Sequence, residues 1–348
     1  MQPVYLNEAE VRSQLFPFAS TRHVADIRIG ILTIREKWEA LTGAPVHLIG
    51  ESDPTPGDAQ VFAANIIPSR AFIDSLNISP ENPDWNSIKL LQYPWHIFQL
   101  NDWALREDFA TLTHGRSSRP LPESVQTTGG GQIFIEDGAK LQYCILNASA
   151  GPIYIGRNAE IMEGCTIRGP FALGENAVVK MGARIYGATT IGPSCVAGGE
   201  IKNSVMMGYS NKAHDGYLGD AVLGEWCNLG AGTSNSNLKN NASDVRVWHQ
   251  PSERYLAAGT KCGLLMGDYS RCAINTSFYT GTVVGVCANV FGEGIPPKFV
   301  PSFTWGNRGL SKYEFEKAMS DIEAWKKFKH QSLTNDEIKQ LRTIFEGS

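Results

Sequence analysis

The chain reads as a mainly β protein: a hexapeptide parallel β-helix, preceded by a small α/β domain and followed by helices. Between Ile155 and Thr233, aliphatic residues recur at every sixth position, as Ile155, Ile161, Ile167, Leu173, Val179, Ile185 and Ile191, with Ala197 next. Compact residues stand two places before many of them, as at Ala159, Cys165, Ala177, Ala183 and Cys195, and Gly156, Gly174 and Gly192 follow their aliphatic partners directly. A helical face repeats at about 3.6 residues and a half-buried strand at two, so a sustained period of six demands another geometry. In a triangular coil each six-residue block forms one short side with its aliphatic residue inward. One coil cannot bury its own face, so stacked neighbours make a continuous core, and corner glycines allow backbone angles that a Cβ resists. At 348 residues the chain also exceeds one ordinary core. We expect an α/β domain over residues 1–125, the solenoid over 126–300 and a helical tail over 301–348.

Along the chain, Leu15 to Trp38 runs from a proline-containing turn into an apolar and then a helix-like segment. Val46–Gly50 and Val61–Ile67 read as short strands, an alternation that suggests α/β. Ile97, Leu100, Ala104, Leu105 and Phe109 lie near helical spacing, which places an amphipathic helix in Gln92–Ala110 that packs the first domain. Thr113 to Gly131 is a breaker-rich connector, and Ile133 to Ile153 reads as irregular opening coils. After Ala197 the phase is lost across Gly198 to His214 and resumes at Tyr217, Leu223 and Leu229. An excursion from a regular solenoid lets side chains leave the wall, so chemistry is sought there first. A second irregular segment covers Asn235 to Lys261, coils return over about Leu264–Val290, and Pro296-Pro297 end the solenoid. Ser311 and Thr334 are read as helix caps in the tail.

Net charge is −4 and no Lys/Arg-rich run occurs, so the electrostatic footprint of a nucleic-acid binder is missing. The N-terminus lacks the basic start and apolar stretch of a signal peptide, and no apolar run is long enough to span a bilayer. The expectation is a cytoplasmic protein without nucleic-acid or membrane partners. The seven cysteines are scattered without a C-x-x-C pair, and Cys165, Cys195 and Cys227 fall on inward positions. They read as small buried thiols under reducing conditions rather than as disulfides or metal ligands.

The segment NKAHDGYLGDAVLGEWCNLGAGTSNSN, Asn211 to Asn237, closely resembles the acetyltransferase half of the bifunctional N-acetylglucosamine-1-phosphate uridyltransferase/glucosamine-1-phosphate N-acetyltransferases. The histidine, the tyrosine three residues on, the LGDA turn and the N-L-G-A-G-T loop occur together and in order. The resemblance implies a left-handed β-helix, a homotrimer with active sites between neighbouring solenoids, and acetyl-CoA as acyl donor. It implies an amino-sugar phosphate or sugar-nucleotide partner. It places His214 as catalytic residue, Arg184 and Lys202 of Glu200-Ile201-Lys202 on the sugar phosphate, and Tyr217, Asn228 and Asn237 at the substrate. Three positions depart from the family pattern: Leu238 stands for a tyrosine, no residue among Lys239 to Ser243 matches a following lysine, and Ile274 stands for a serine.

The family's first domain opens with a strand and a Gly-rich loop that holds nucleotide phosphates. Nothing like that loop precedes Leu15 here. Leu15-Phe-Pro-Phe-Ala-Ser-Thr-Arg22 is similar to the segment just beyond it, so the resemblance implies a shortened nucleotidyltransferase-like domain, as in a Bacteroidetes-like branch. Without amides to cradle phosphates, uridylyl transfer is hard to run, and Mg²⁺ is expected only if that activity is retained.

The residues themselves fit an N-acetyltransferase. An amine attacks a thioester only as the free base, so a proton acceptor working near neutral pH is needed. His214 is the only histidine in the coils before residue 249, and Asp215 or Glu200 could orient it. Gly230-Ala231-Gly232 could present amides to the tetrahedral oxyanion and to acetyl-CoA. Arg184 and Lys202 interrupt apolar rows and suit a phosphate, arginine through its forked contact. A γ-type carbonic anhydrase would need three histidines for zinc, which this stretch lacks. Two rivals stay open: an enzyme that also makes UDP-N-acetylglucosamine, and a sugar-nucleotide-binding scaffold without catalysis.

Overall fold

The computed structural model describes residues 3–50, 60–307 and 311–348. Short parallel strands stack into three walls. The first wall has nine strands, from Ile133–Ile135 to Phe299–Val300. The second has eight, from Lys140–Leu141 to Asn289–Val290. The third has six, from Gln126–Thr128 to Tyr217–Gly219, while Ser234–Asn235 and Ser277–Phe278 pair in the later coils.

The period of six is the path around this triangle. Ile155, Ile161 and Ile167 sit on the first, second and third walls of one coil, and Leu173, Val179 and Ile185 repeat them one coil on. All are buried in one continuous core. Gly174 and Gly192 are not turned by unusual angles. A Cβ on Gly174 would meet Pro193 N at 2.6 Å, and one on Gly192 would meet Met207 O at 2.0 Å, so close stacking of coils excludes a side chain.

The sequence reading needs correction in several places. The coils begin at Gln126, within the expected connector. Pro296-Pro297 do not end the stack, because Val283 N–H still donates to Lys298 O and Phe299–Val300 adds a strand. Val61–Ile67 is two strands, Gln60–Ala63 and Ile66–Ile67, separated where the Ala64 N–H turns to Asn7 O. The amphipathic helix is broken into His96–Gln99 and Asn101–Thr113. Ser311 caps no helix: its carbonyl accepts Trp305 N–H and the helix starts at Phe315, whereas Thr334 forms a full capping box with Glu337.

Residues 3–50 and 60–113 form a small α/β unit. Its parallel sheet places Val4–Asn7 between Val46–Ile49 and Gln60–Ala63. Trp38, on the helix Ile34–Thr42, packs against Phe62 and Phe72 behind that sheet. The unit does not keep a core to itself. Its buried residues form one cluster with Val205, Met207, Val222, Leu265 and Val283 on the outer face of the first wall, and with Val245, Val247 and Cys262 of the insertion after Asn235. Asn101 fixes the docking by donating to Ala188 O at 2.8 Å and Thr190 Oγ1 at 3.1 Å.

The C-terminal helices Phe315–Lys327 and Asn335–Glu346 cover the corner between first and second walls, burying Trp226, Tyr269, Cys287 and Phe303. The outer face of the first wall and the corner it shares with the second are thus covered in these coils. The third wall and its leading corner are left open, and carry Tyr143 and Met181, each 70 % exposed, besides Ile145, Tyr186 and Ile274. All seven cysteines are free and buried, and among the described residues no helix is long and apolar enough to cross a membrane.

Candidate active site

The phase loss after Ala197 has a structural cause. Inward residues of the second and third walls are usually six apart, as in Val179 and Ile185, but Ala197 and Ile201 are only four apart. Gly198 and Gly199 alone turn that corner. A Cβ on Gly198 would lie 2.3 Å from Ala213 O, and one on Gly199 would lie 2.8 Å from His214 O, with Gly199 also at φ +72°. The next corner, Ala213–Gly216, keeps full length and overhangs the shortened one. The result is a cleft of about 580 Å³ lined by Lys180, Met181, Gly198, Gly199, His214, Asp215 and Ala231, among others.

His214 stands at its rim, exposed, and its imidazole makes no hydrogen bond or ion pair among the described residues. Neither expected orienting partner engages it. Asp215 is itself exposed, and Glu200 faces Arg184 at 3.7 Å. The main chain is held instead: Asp215 O accepts Gly232 N–H at 3.0 Å from the coil above.

The third wall presents a polar column beside this cleft. Arg184, Glu200 and Tyr217 are in register on successive strands, and Lys202 lies two residues along from Glu200. Neighbouring strands are about 4.8 Å apart, so these groups share a patch that a sugar phosphate could span. Arg184 and Lys202 are exposed. Tyr217 is not the inward residue that the resumed phase predicts: Leu218, 1 % exposed, is inward and Tyr217 faces out, half-buried. Its hydroxyl accepts Asn237 Nδ2 at 3.1 Å. Burial, with Asp220 and Glu200 nearby, pushes the phenol up to about 12, so it remains a neutral donor. Asn237 also donates to Asp220, a buried carboxylate that accepts Asn203 Nδ2 at 2.6 Å.

Asn228 does not join this column. It faces out from the second wall, in register with Asn211 and Arg271. The glycine-rich loop is also only partly available: Gly230 N–H is spent on Cys272 O and Gly232 N–H on Asp215 O, because both amides tie coils together. Ala231 N–H alone has no partner among the described residues and lies at the cleft. Ile274 continues the same corner one coil on and is 68 % exposed.

Two participants escaped the sequence reading. Asp220 anchors Asn237, and nothing in the repeat pattern marks it. Lys212 occupies an inward position, 2 % exposed, and its Nζ donates to His214 O. Counting back six from Leu218 would have found it.

In the first domain, the segment after the strand Val4–Asn7 carries Glu8 where a phosphate loop would be expected. Its buried carboxylate accepts Val24 N–H at 2.8 Å and Arg12 Nη1 at 2.6 Å. Ligands of open α/β sheets bind at the carboxyl ends of strands, and here that position is taken by the Glu8–Arg12 ion pair in place of a Gly-rich phosphate loop. Among the described residues no three His, Cys, Asp or Glu side chains are grouped to hold a metal.

Comparison with known proteins bears out the resemblance. Residues 4–77 match a family model described as sugar nucleotidyl transferase. A bifunctional sugar-1-phosphate nucleotidylyltransferase/acetyltransferase of Sulfurisphaera tokodaii is 28% identical over 229 residues, 63% of this chain and 50% of that one. The bifunctional protein GlmU of Methanocaldococcus jannaschii is 34% identical over 86 residues, 25% of this chain and 21% of that one. The chain therefore spans half the length of the first relative and about a fifth of the second. An Arabidopsis UDP-N-acetylglucosamine acyltransferase structure aligns at TM-score 0.31 and 16% identity, over 66% of this chain and 90% of that one. The solenoid is established by the chain's own strand ladders.

Proposed function

We propose that this chain, a relative of bifunctional sugar-1-phosphate nucleotidylyltransferase/acetyltransferases, is an acetyl-CoA-dependent N-acetyltransferase acting on an amino-sugar phosphate such as glucosamine 1-phosphate. The observation that carries the reading is an imidazole with no partner among the described residues, at the rim of a cleft and beside an exposed Arg184–Lys202 patch. The acetyltransferase half of the S. tokodaii relative's name supports it.

The acceptor phosphate lies against Arg184 and Lys202, while Tyr217, fixed by Asn237, donates to a sugar hydroxyl. The free amine attacks the thioester carbonyl, forming the N–C bond, and the oxyanion accepts Ala231 N–H. His214 takes the ammonium proton as the intermediate forms. It then delivers a proton to the coenzyme A sulfur as the C–S bond breaks. Such proton transfers need no metal. Asn228, on the second wall, contacts the ligand from the other side of the corner.

The open third wall, with Met181 and Tyr186, is the face on which further copies assemble into a homotrimer. The deciding experiment is thiol release from acetyl-CoA with glucosamine 1-phosphate. Activity in the wild type that falls about 10²–10⁴-fold in His214→Ala and stays whole in His330→Ala supports the reading. No release with any amino sugar sinks it and leaves a binding scaffold.

Nucleotidyl transfer is the second reading, favoured by the family match over residues 4–77. Glu8 speaks against it. Pyrophosphate formed from UTP, Mg²⁺ and N-acetylglucosamine 1-phosphate would establish it.

A further inference from the structure

The inward row of the second wall runs Leu141, Ile161, Val179, Ala197, Lys212, Leu229, Cys272 and Val290. One member is a lysine. It is 2 % exposed, lies inside the solenoid and forms no ion pair among the described residues. A charged side chain at such a position costs stability unless it does something an aliphatic residue cannot.

Its one hydrogen bond goes to the carbonyl of His214. That carbonyl needs a donor because the coil above does not supply one. Elsewhere these corners are tied coil to coil, Gly182 N–H to Glu163 O and Asn275 N–H to Ala231 O. In each tie the amide of the coil above meets a carbonyl of the coil below, but above Ala213–Gly216 the corresponding amide, Gly232 N–H, goes one residue further on to Asp215 O, which leaves His214 O with no main-chain donor among the described residues.

We infer that Lys212 is a positioning residue: rising from the solenoid interior, its Nζ replaces the missing amide, holds the His214 carbonyl and fixes the overhanging corner so that the imidazole projects over the cleft. The titratable groups facing it are Asp215 and Cys272, besides His214 itself. Burial depresses its own proton affinity to about 8, consistent with an ammonium lacking a carboxylate partner. The kinetic consequence rests on the acetyltransferase reading, but the holding contact does not.

The test is Lys212→Met in the full chain, which fills the interior with similar volume and removes the donor. Amide hydrogen exchange should become at least ten-fold faster in the peptide spanning residues 211–219, with residues 153–191 unchanged. With acetyl-CoA and glucosamine 1-phosphate, kcat should fall about ten- to a hundred-fold while KM for acetyl-CoA stays within two-fold. The melting temperature should not fall. Unchanged exchange at 211–219 overturns the inference, whether or not the wild type transfers acetyl groups. Faster exchange with wild-type kcat overturns it also, since the corner would then be held to no purpose. A melting temperature that drops in step with activity assigns Lys212 a merely structural role. If the wild type itself releases no thiol, the acetyltransferase reading fails, and hydrogen exchange still decides the contact.

Discussion

At the scale of single residues, Lys212 and Tyr217 show how environment sets chemistry. Lys212 binds its proton up to about 8 when folded but up to 10.5 in the unfolded chain. Between those values the unfolded chain carries more protons, so the lysine's contribution makes stability rise with pH across that window. Below pH 8 the charge costs the fold on the order of 3 kcal/mol. Chemical denaturation of wild type and Lys212→Met from pH 7 to 10.5 should show the variant more stable at pH 7 and the difference closing by pH 10.5. A constant difference would contradict this. Arg184→Ala, which leaves Lys202 and a solvated face, should raise KM for the sugar phosphate about ten-fold with little change in kcat, measured by steady-state thiol release. The sequence pointed to His214 through the break in the period, but to Arg184 and Lys202 only through the family resemblance: both stand on outward positions beside the inward Ile185 and Ile201 and do not interrupt the apolar rows. It did not disclose that Gly230 and Gly232 spend their amides between coils, since those partners lie about forty residues away in Cys272 and behind in Asp215.

At the scale of elements, the proposed site rests on one corner that is two residues shorter than its neighbours. Restoring the regular length, by inserting two residues between Gly198 and Gly199, should leave the coils stacked but fill the cleft. We expect far-ultraviolet circular dichroism unchanged and thiol release lost; retained activity would separate the cleft from the reaction. Gly199→Ala tests the same corner from within, since its Cβ would meet His214 O at 2.8 Å with φ +72°. The loss of phase was plain in the sequence, yet its meaning was not. A gap in a periodic pattern can be an insertion that bulges out or a deletion that pulls in, and only the register of Ile185 with Ile201 shows the second. Helix ends were legible where a capping box exists, at Thr334, and misread at Ser311, where a bridge between strands uses the backbone instead.

At the scale of the whole molecule, three parts share their cores. Removing residues 1–125 would expose Val205, Met207, Val222, Leu265 and Val283 on the first wall, so the fragment 126–348 should aggregate when expressed alone. Static light scattering of a monodisperse fragment would refute this. The three-part division was readable from composition, but the sharing was not, because alternating apolar residues on a wall strand look alike whether they meet solvent or a neighbouring unit. The open third wall predicts that a charge at Tyr186, as Tyr186→Glu, lowers the mass seen by sedimentation from trimer towards monomer. The most direct test of the proposed cleft is a crystal structure with acetyl-CoA bound. It should place the thioester at the cleft below His214, its carbonyl oxygen within hydrogen-bonding distance of Ala231 N–H and a second copy's third wall against the ligand. Acetyl-CoA bound away from the Gly198–His214 corner would contradict it.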